Sequence, residues 1–110
     1  MKQRKLGKRG PEVFPVGLGC MGLSQSYPPF PDKKEAVAFL QQAVEMGENF
    51  FDTSELYGVY ANEELLGEAL EPYRSKLVLA TKFGWRIQDG KVQGMDSSPA
   101  AIRKSVEACI

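Results

Sequence analysis

The sequence contains no histidine. A Ser/His/Asp triad and a Cys/His pair both use an imidazole as general base, so this absence excludes those two nucleophilic sites within the chain. It also argues against a zinc enzyme, because histidine is a frequent zinc ligand. Proton transfer must therefore use a carboxyl group, a phenol, an amine or a thiol, and no metal site is predicted.

Cysteines and long apolar segments are also scarce. The two cysteines, Cys20 and Cys109, lie far apart in the chain and do not form the pattern of a disulfide framework. No apolar run approaches the roughly 18 residues of a membrane span, and the segment after Met1 is charged and lacks the apolar core of a targeting peptide. We therefore expect a soluble cytoplasmic protein without a membrane partner.

The charges show no excess of one sign. Fourteen basic and fourteen acidic residues cancel, so the net charge favours neither nucleic acid nor an anionic membrane as a partner. The one local excess is basic and lies at the N-terminus, at Lys2, Arg4, Lys5, Lys8 and Arg9. We interpret it as the solvated face of a hairpin and not as a phosphate-binding patch.

The remaining pattern alternates strands and helices. Residues 3–6 and 12–14 flank a glycine-containing turn and predict a β-hairpin. Strands are expected at 16–19, 49–52 and 77–82, and helices at 32–46, 63–70 and from 98 to the end. The last strand is continuously apolar, as in a strand buried on both faces. Repeated βα units predict a parallel sheet in which the strands end at the same edge.

Several helix boundaries depend on single residues. Asp32 and Glu35 form the pattern of a capping box, and Asn62 is expected to cap the second helix. Pro72 should stop that second helix. Ser98, followed by a proline, is the expected N-cap of the third helix, whose apolar positions include Ile102, Val106 and either Cys109 or Ile110.

Two segments between these elements have less regular patterns. Residues 83–97 contain three glycines and are expected to form a long loop, a length that in compact domains usually indicates function or disorder. Glu55 follows the second strand and is interpreted as a solvated loop charge.

A glycine-rich motif at residues 17–22 matches the G-x-G-x-x-G pattern of dinucleotide-binding folds. That interpretation requires a helix starting at Gly22, with its N-terminus facing the pyrophosphate. Three prolines at positions 28, 29 and 31 exclude such a helix, and no acid follows about 20 residues later. We therefore favour, over a dinucleotide-binding helix, a strand that ends in a glycine-rich loop whose backbone lies close to another group.

Three reactive side chains follow the predicted strands. Asp52 ends the second strand, Tyr57 comes five residues later and Lys82 ends the third strand. In a parallel sheet they would meet at one carboxyl edge, where α/β folds carry their chemistry. A nearby ammonium makes a phenol a better acid, so Tyr57 could protonate an oxygen that gains negative charge. Taken singly, each residue has a plainer interpretation that its spacing favours: Asp52 as a turn cap, Tyr57 as a half-buried aromatic and Lys82 as a solvated charge.

These residues lie in motifs that resemble those of the aldo-keto reductases. The motifs are Phe51-Asp52-Thr53, Tyr57-Gly58, Asn62-Glu63, Leu66-Gly67 and Ala80-Thr81-Lys82, together with the glycine-rich motif and the leading hairpin. The resemblance covers essentially all 110 residues. It implies a (β/α)8 barrel and NADPH-dependent reduction of aldehydes or ketones, with a small carbonyl compound as substrate.

The resemblance also implies a role for individual residues. Tyr57 would be the proton donor, Lys82 the group that makes it a better acid and Asp52 the partner of Lys82. The cofactor would be bordered by Gly19, Cys20, Met21 and Asp52. The family's catalytic histidine lies after the fourth strand and has no counterpart in this sequence.

The length is too short for a closed barrel, which takes about 250 residues. We therefore expect the fold class to be α/β, the N-terminal portion of a barrel: a hairpin over residues 1–15 and three βα units over residues 16–110. Such a piece should be inactive alone and, with open strand edges, should self-associate. The alternative is a non-catalytic relative that binds a cofactor or a partner.

Overall fold

The computed structural model describes residues 2–109, so Ile110, proposed for the last apolar stripe, lies outside the described residues. Two short strands, β1 (Arg4–Lys5) and β2 (Glu12–Val13), pair antiparallel and confirm the N-terminal hairpin. A parallel sheet follows, with the order β3-β4-β5 for β3 (Leu18–Gly19), β4 (Phe50–Asp52) and β5 (Val78–Ala80). The three helices are α1 (Lys33–Glu45), α2 (Ala61–Leu70) and α3 (Pro99–Ala108).

The ends of α1 and α3 confirm the predicted caps. The Asp32 carboxylate accepts a hydrogen bond of 2.8 Å from the backbone N–H of Glu35, and the Glu35 carboxylate accepts one from the Asp32 N–H. Gly47 follows α1 with φ of +102°, a conformation that glycine adopts without a Cβ clash. The Ser98 hydroxyl accepts from the Ala101 N–H at the start of α3.

The start of α2 differs from the prediction. The helix begins at Ala61, and the residue at the N-cap is Tyr60, whose φ is +68°. Asn62 is therefore not the N-cap; it lies inside the first turn, fully buried, with side-chain partners in other segments. At the other end α2 stops at Leu70, and the chain continues as a 3-10 helix, Glu71–Lys76, that accommodates proline in its first turn.

The expected long loop at residues 83–97 is wrong for most of its length. The chain there forms an antiparallel hairpin of β6 (Trp85–Gln88) and β7 (Lys91–Met95). Asp89 and Gly90 connect the strands with φ values of +51° and +71°. Positive φ at both central residues is what a tight two-residue hairpin turn requires, and Asp-Gly is a strong sequence signal for it.

The core lies between the parallel sheet and the first two helices. Its largest fully buried apolar side chains are Phe51 of β4, Leu40 of α1 and Leu66 and Leu70 of α2. The three residues of β5 are only half-buried, contrary to the expectation of a strand buried on both faces, because β5 lies at the edge of the sheet. In residues 2–109, no helix is both long enough and apolar enough to cross a membrane.

Candidate active site

The carboxyl ends of the three parallel strands lie at one edge, as predicted. In the sheet register Gly19 lies beside Asp52, and Asp52 lies beside Ala80. The Thr53 N–H extends this pairing by donating to the Ala80 carbonyl at 2.8 Å. Lys82 is two residues beyond the end of β5, so its side chain starts next to the end of β4.

Asp52 and Lys82 form a direct ion pair. Lys82 Nζ donates to Asp52 Oδ1 and also to the Thr53 backbone carbonyl, at 2.8 Å. Both side chains are a little under half exposed, at 45% for Lys82 and 43% for Asp52. An exposed pair of this kind adds little stability, so its main consequence is that the ammonium is held in one direction.

Tyr57 lies against the same ammonium. Lys82 Nζ is 4.9 Å from the centroid of the Tyr57 ring, a cation–π distance. The tyrosine lies in the β4–α2 loop, residues 53–60, where its N–H donates to the Ser54 carbonyl and its carbonyl accepts from the Asn62 N–H. The structure thus brings together the three residues that the sequence predicted as catalytic.

The surroundings of Lys82 stabilise its charged form. Partial burial lowers the pKa of Lys82, but its hydrogen bond to Asp52 and its charge interactions with Asp52 and Tyr57 together outweigh this effect. The pKa of Lys82 therefore lies above its ordinary value of 10.5. At neutral pH the ammonium is fully charged beside the phenol, as a group that promotes proton release must be.

The glycine-rich motif does not start a dinucleotide-binding helix. Residues Met21–Leu23 form one short 3-10 turn, and the chain then continues irregularly to α1 through the β3–α1 loop, residues 20–32. The space around Gly19 is open, because a Cβ built there would meet no atom within 4 Å. The backbone beside Asp52 can therefore be approached closely by a flat group.

Cys20 is turned into the protein. Its thiol is buried and donates to the Leu18 carbonyl across 3.5 Å, and its N–H donates to the Asp52 carbonyl at 2.9 Å. Burial is the main reason that its pKa is raised to about 12, with the charges of Asp52 and Glu48 raising it further. The thiol is thus neutral at physiological pH and does not act as a nucleophile.

The interpretation of Glu55 as a solvated charge is wrong. Its side chain is 3% exposed and accepts hydrogen bonds from the Trp85 N–H, at 3.3 Å, and from the Ser105 hydroxyl, at 3.0 Å. It therefore connects the β4–α2 loop to the β6–β7 hairpin and to α3. Neither this role nor the burial of Asn62 has a local sequence signal, because their partners lie up to 50 residues away in the chain.

The catalytic candidates lie on an open edge. A cavity of about 620 Å³ lies between α2 and α3, but its lining does not include Asp52, Tyr57 or Lys82. In residues 2–109, no group of three or more acidic, histidine or cysteine side chains is arranged to hold a metal ion. The site thus consists of an oriented ammonium, a carboxylate and a phenol beside an accessible glycine backbone.

The chain is similar to proteins of one known family. Residues 15–110 match the model of the aldo/keto reductase family. The chain belongs to that family. The chain is also 39% identical over 109 residues to a Bacillus subtilis protein named uncharacterized oxidoreductase YqkF, and it covers 33% of that protein.

Solved aldo/keto reductases share the fold. The holo form of the reductase AKR11C1 from Bacillus halodurans superposes with a TM-score of 0.85 and is 36% identical, over 99% of this chain and 35% of that one. The glycerol dehydrogenase AKR11B4 from Gluconobacter oxydans superposes with a TM-score of 0.71 and is 32% identical, over 97% of this chain and 34% of that one. This aldo/keto reductase chain thus spans about a third of the length of these relatives and forms part of a (β/α)8 barrel, as predicted.

Proposed function

We propose that these residues are the N-terminal third of an NADPH-dependent aldo/keto reductase that reduces aldehydes or ketones to alcohols. The observation that carries the proposal is the placement of Asp52, Tyr57 and Lys82 together at the carboxyl edge of the parallel sheet. Family membership supports an oxidoreductase activity. The name of one relative, a glycerol dehydrogenase, refers to the interconversion of an alcohol and a carbonyl compound.

Tyr57 is the proton donor in this proposal. Reduction of a carbonyl group places negative charge on its oxygen, and a phenol within hydrogen-bond reach can transfer its proton there as the charge develops. Lys82, held by Asp52 and the Thr53 carbonyl, stabilises the phenolate that remains. The product is the alcohol, and the tyrosine regains its proton from solvent because this edge is exposed.

The residues present fit the nicotinamide end of the proposed cofactor. Gly19 leaves open space beside Asp52, and Met21 is half-buried next to it in the β3–α1 loop. Cys20 borders this region through its backbone and stabilises the loop through its internal hydrogen bonds. When bound, NADPH supplies the hydride, and Gly19, Cys20, Met21 and Asp52 would border it.

The test is the Tyr57→Phe substitution in the complete barrel protein that contains these residues. We expect kcat for aldehyde reduction to fall by roughly 10²- to 10⁴-fold, the usual contribution of a general acid, while the Kd for NADPH stays nearly unchanged. Tyr73→Phe is the matched control, because Tyr73 lies beyond α2 in the 3-10 helix. Turnover by Tyr57→Phe equal to that of the control would remove the acid role.

An absence of turnover in the unsubstituted protein with a panel of aldehydes would instead favour the non-catalytic alternative. The 110-residue chain by itself should neither bind NADPH tightly nor reduce aldehydes, because a hydride donor must be held against the substrate by more of the barrel. Its sheet edges at β3 and β5 should make it associate. Fluorescence titration with NADPH and gel filtration of this chain test both expectations.

A further inference from the structure

Asn62 is the centre of a buried polar network that the proposed chemistry does not use. Its side chain is fully buried in the first turn of α2. Its Oδ1 accepts a hydrogen bond of 2.6 Å from the Thr53 hydroxyl, and its Nδ2 donates to the Cys20 carbonyl and to the Ser24 hydroxyl, each at 2.9 Å. One amide thus joins the end of β4, the β3–α1 loop and α2.

Each atom of this network is paired. In residues 2–109, no buried side-chain nitrogen or oxygen lacks a hydrogen-bond partner. A buried polar group costs free energy unless its bonds are made, so the three partners have one favoured arrangement around the Asn62 amide. The network therefore connects the two loops through specific hydrogen bonds.

One of these loops needs external support. Val59 and Tyr60, at the end of the β4–α2 loop, have φ values of +47° and +68°. Left-handed backbone is unfavourable for residues other than glycine, and most of all for a β-branched valine. Besides Asn62, this loop contacts the β3–α1 loop through the Gly58 N–H, which donates to Gln25 Oε1 at 3.1 Å in an exposed position.

We propose that Asn62 is a positioning residue that holds the β3–α1 loop against the β4–α2 loop and so aligns Gly19 and Met21 with Tyr57 and Lys82. The inference rests on the proposed function for its catalytic consequence. Asn62 is connected to the reactive groups through single intervening residues. Thr53, which donates to Asn62, provides the carbonyl that Lys82 contacts, and Ser24 lies 3.3 Å from the Cβ position of Gly58, next to Tyr57.

The experiment uses Asn62→Ala in the complete protein, with Asn49→Ala as matched control. Like Asn62, Asn49 uses its side-chain amide both as acceptor and as donor: Oδ1 accepts from the Phe14 N–H and Nδ2 donates to the Glu12 carbonyl. It lies at the opposite end of β4 from the site. Ser24→Ala removes one bond of the network and serves as the mild variant if Asn62→Ala does not fold.

The first measurement is amide hydrogen exchange, which does not depend on activity. Relative to the Leu40 amide in α1, the Cys20 and Gly58 amides should exchange about tenfold faster in Asn62→Ala. In Asn49→Ala they should remain protected, while the Phe14 amide exchanges faster. Unchanged protection of Cys20 and Gly58 in Asn62→Ala and in Ser24→Ala would overturn the proposal.

The second measurement is turnover, compared for equal amounts of folded protein. Misalignment of reacting groups by about 1 Å can cost 10²-fold, so we expect kcat/KM of Asn62→Ala to fall by about 10- to 100-fold, with a raised KM for NADPH. Asn49→Ala should keep its kcat/KM while losing thermal stability. Faster exchange of the loop amides with unchanged kcat/KM would overturn the positioning role.

If the unsubstituted protein shows no turnover, the proposed function fails, and the exchange rates still decide whether Asn62 holds the two loops.

Discussion

The Lys82 ammonium lies 2.8 Å from the backbone carbonyl oxygen of Thr53. This contact crosses from the end of β5 to the end of β4, and it gives Lys82 a main-chain acceptor in addition to the Asp52 carboxylate. A backbone carbonyl cannot change rotamer, so it restricts the direction of Nζ more firmly than a half-exposed side chain does. The Asp52 carboxylate instead contributes its charge, which stabilises the protonated form of Lys82.

Asp52→Asn should reduce the loss of stability at alkaline pH. The folded pKa of Lys82 lies above 10.5, so its contribution to stability is complete below 10.5 and is lost as the pH rises through the folded value. Without the Asp52 charge this pKa moves down toward its ordinary value. Urea unfolding at pH values of about 9 and 11 should therefore show a smaller decrease for Asp52→Asn than for the unsubstituted protein. Equal decreases would contradict the pairing.

Glu55→Ala should weaken the attachment of the β6–β7 hairpin and α3. The substitution leaves the Trp85 N–H and the Ser105 hydroxyl without their buried acceptor, which costs about 1–3 kcal/mol in free energy of unfolding. Glu55→Gln keeps one acceptor oxygen and should cost less. Urea unfolding provides the measurement.

Glu64→Ala is the matched control for Glu55, because Glu64 is exposed in the first turn of α2. Its substitution should change the free energy of unfolding by no more than about 0.5 kcal/mol. A cost for Glu55→Ala as small as that of Glu64→Ala would show that the buried carboxylate does not hold the hairpin.

The two cysteines should react with a disulfide reagent at very different rates. Cys109 is exposed, and its pKa is raised to about 11 by partial burial and by Glu63, so its reaction should be slow at neutral pH and accelerate as the pH rises. Cys20 is 1% exposed with a pKa of about 12, and it should react only after unfolding. Labelling with DTNB followed by mass spectrometry distinguishes the two sites.

Cys109→Ser is the control for this labelling. It should abolish the reaction of the folded protein and leave the reaction of the unfolded protein at Cys20. Labelling of Cys20 in the folded Cys109→Ser variant would contradict the burial of its thiol.

Local sequence signals were sufficient for the alternating βα order and for most helix ends. The capping box at Asp32 and Glu35 and the Ser98 cap involve residues three positions apart, so the pattern itself contains both partners. The hairpin at residues 85–95 was missed although its Asp89-Gly90 turn is a local signal, because the surrounding glycines favoured a loop.

Which reactive side chains follow the strands could be predicted from residue order, because Asp52 ends one β-prone run and Lys82 comes just beyond another. The burial of Glu55 and the position of Asn62 inside the helix, where it contacts two loops, follow only from how the elements pack. Their partners, such as Ser105 and Cys20, are 50 and 42 residues away. Whether a polar side chain faces water or a distant hydrogen-bond partner depends on how the elements pack, and no local pattern contains that information.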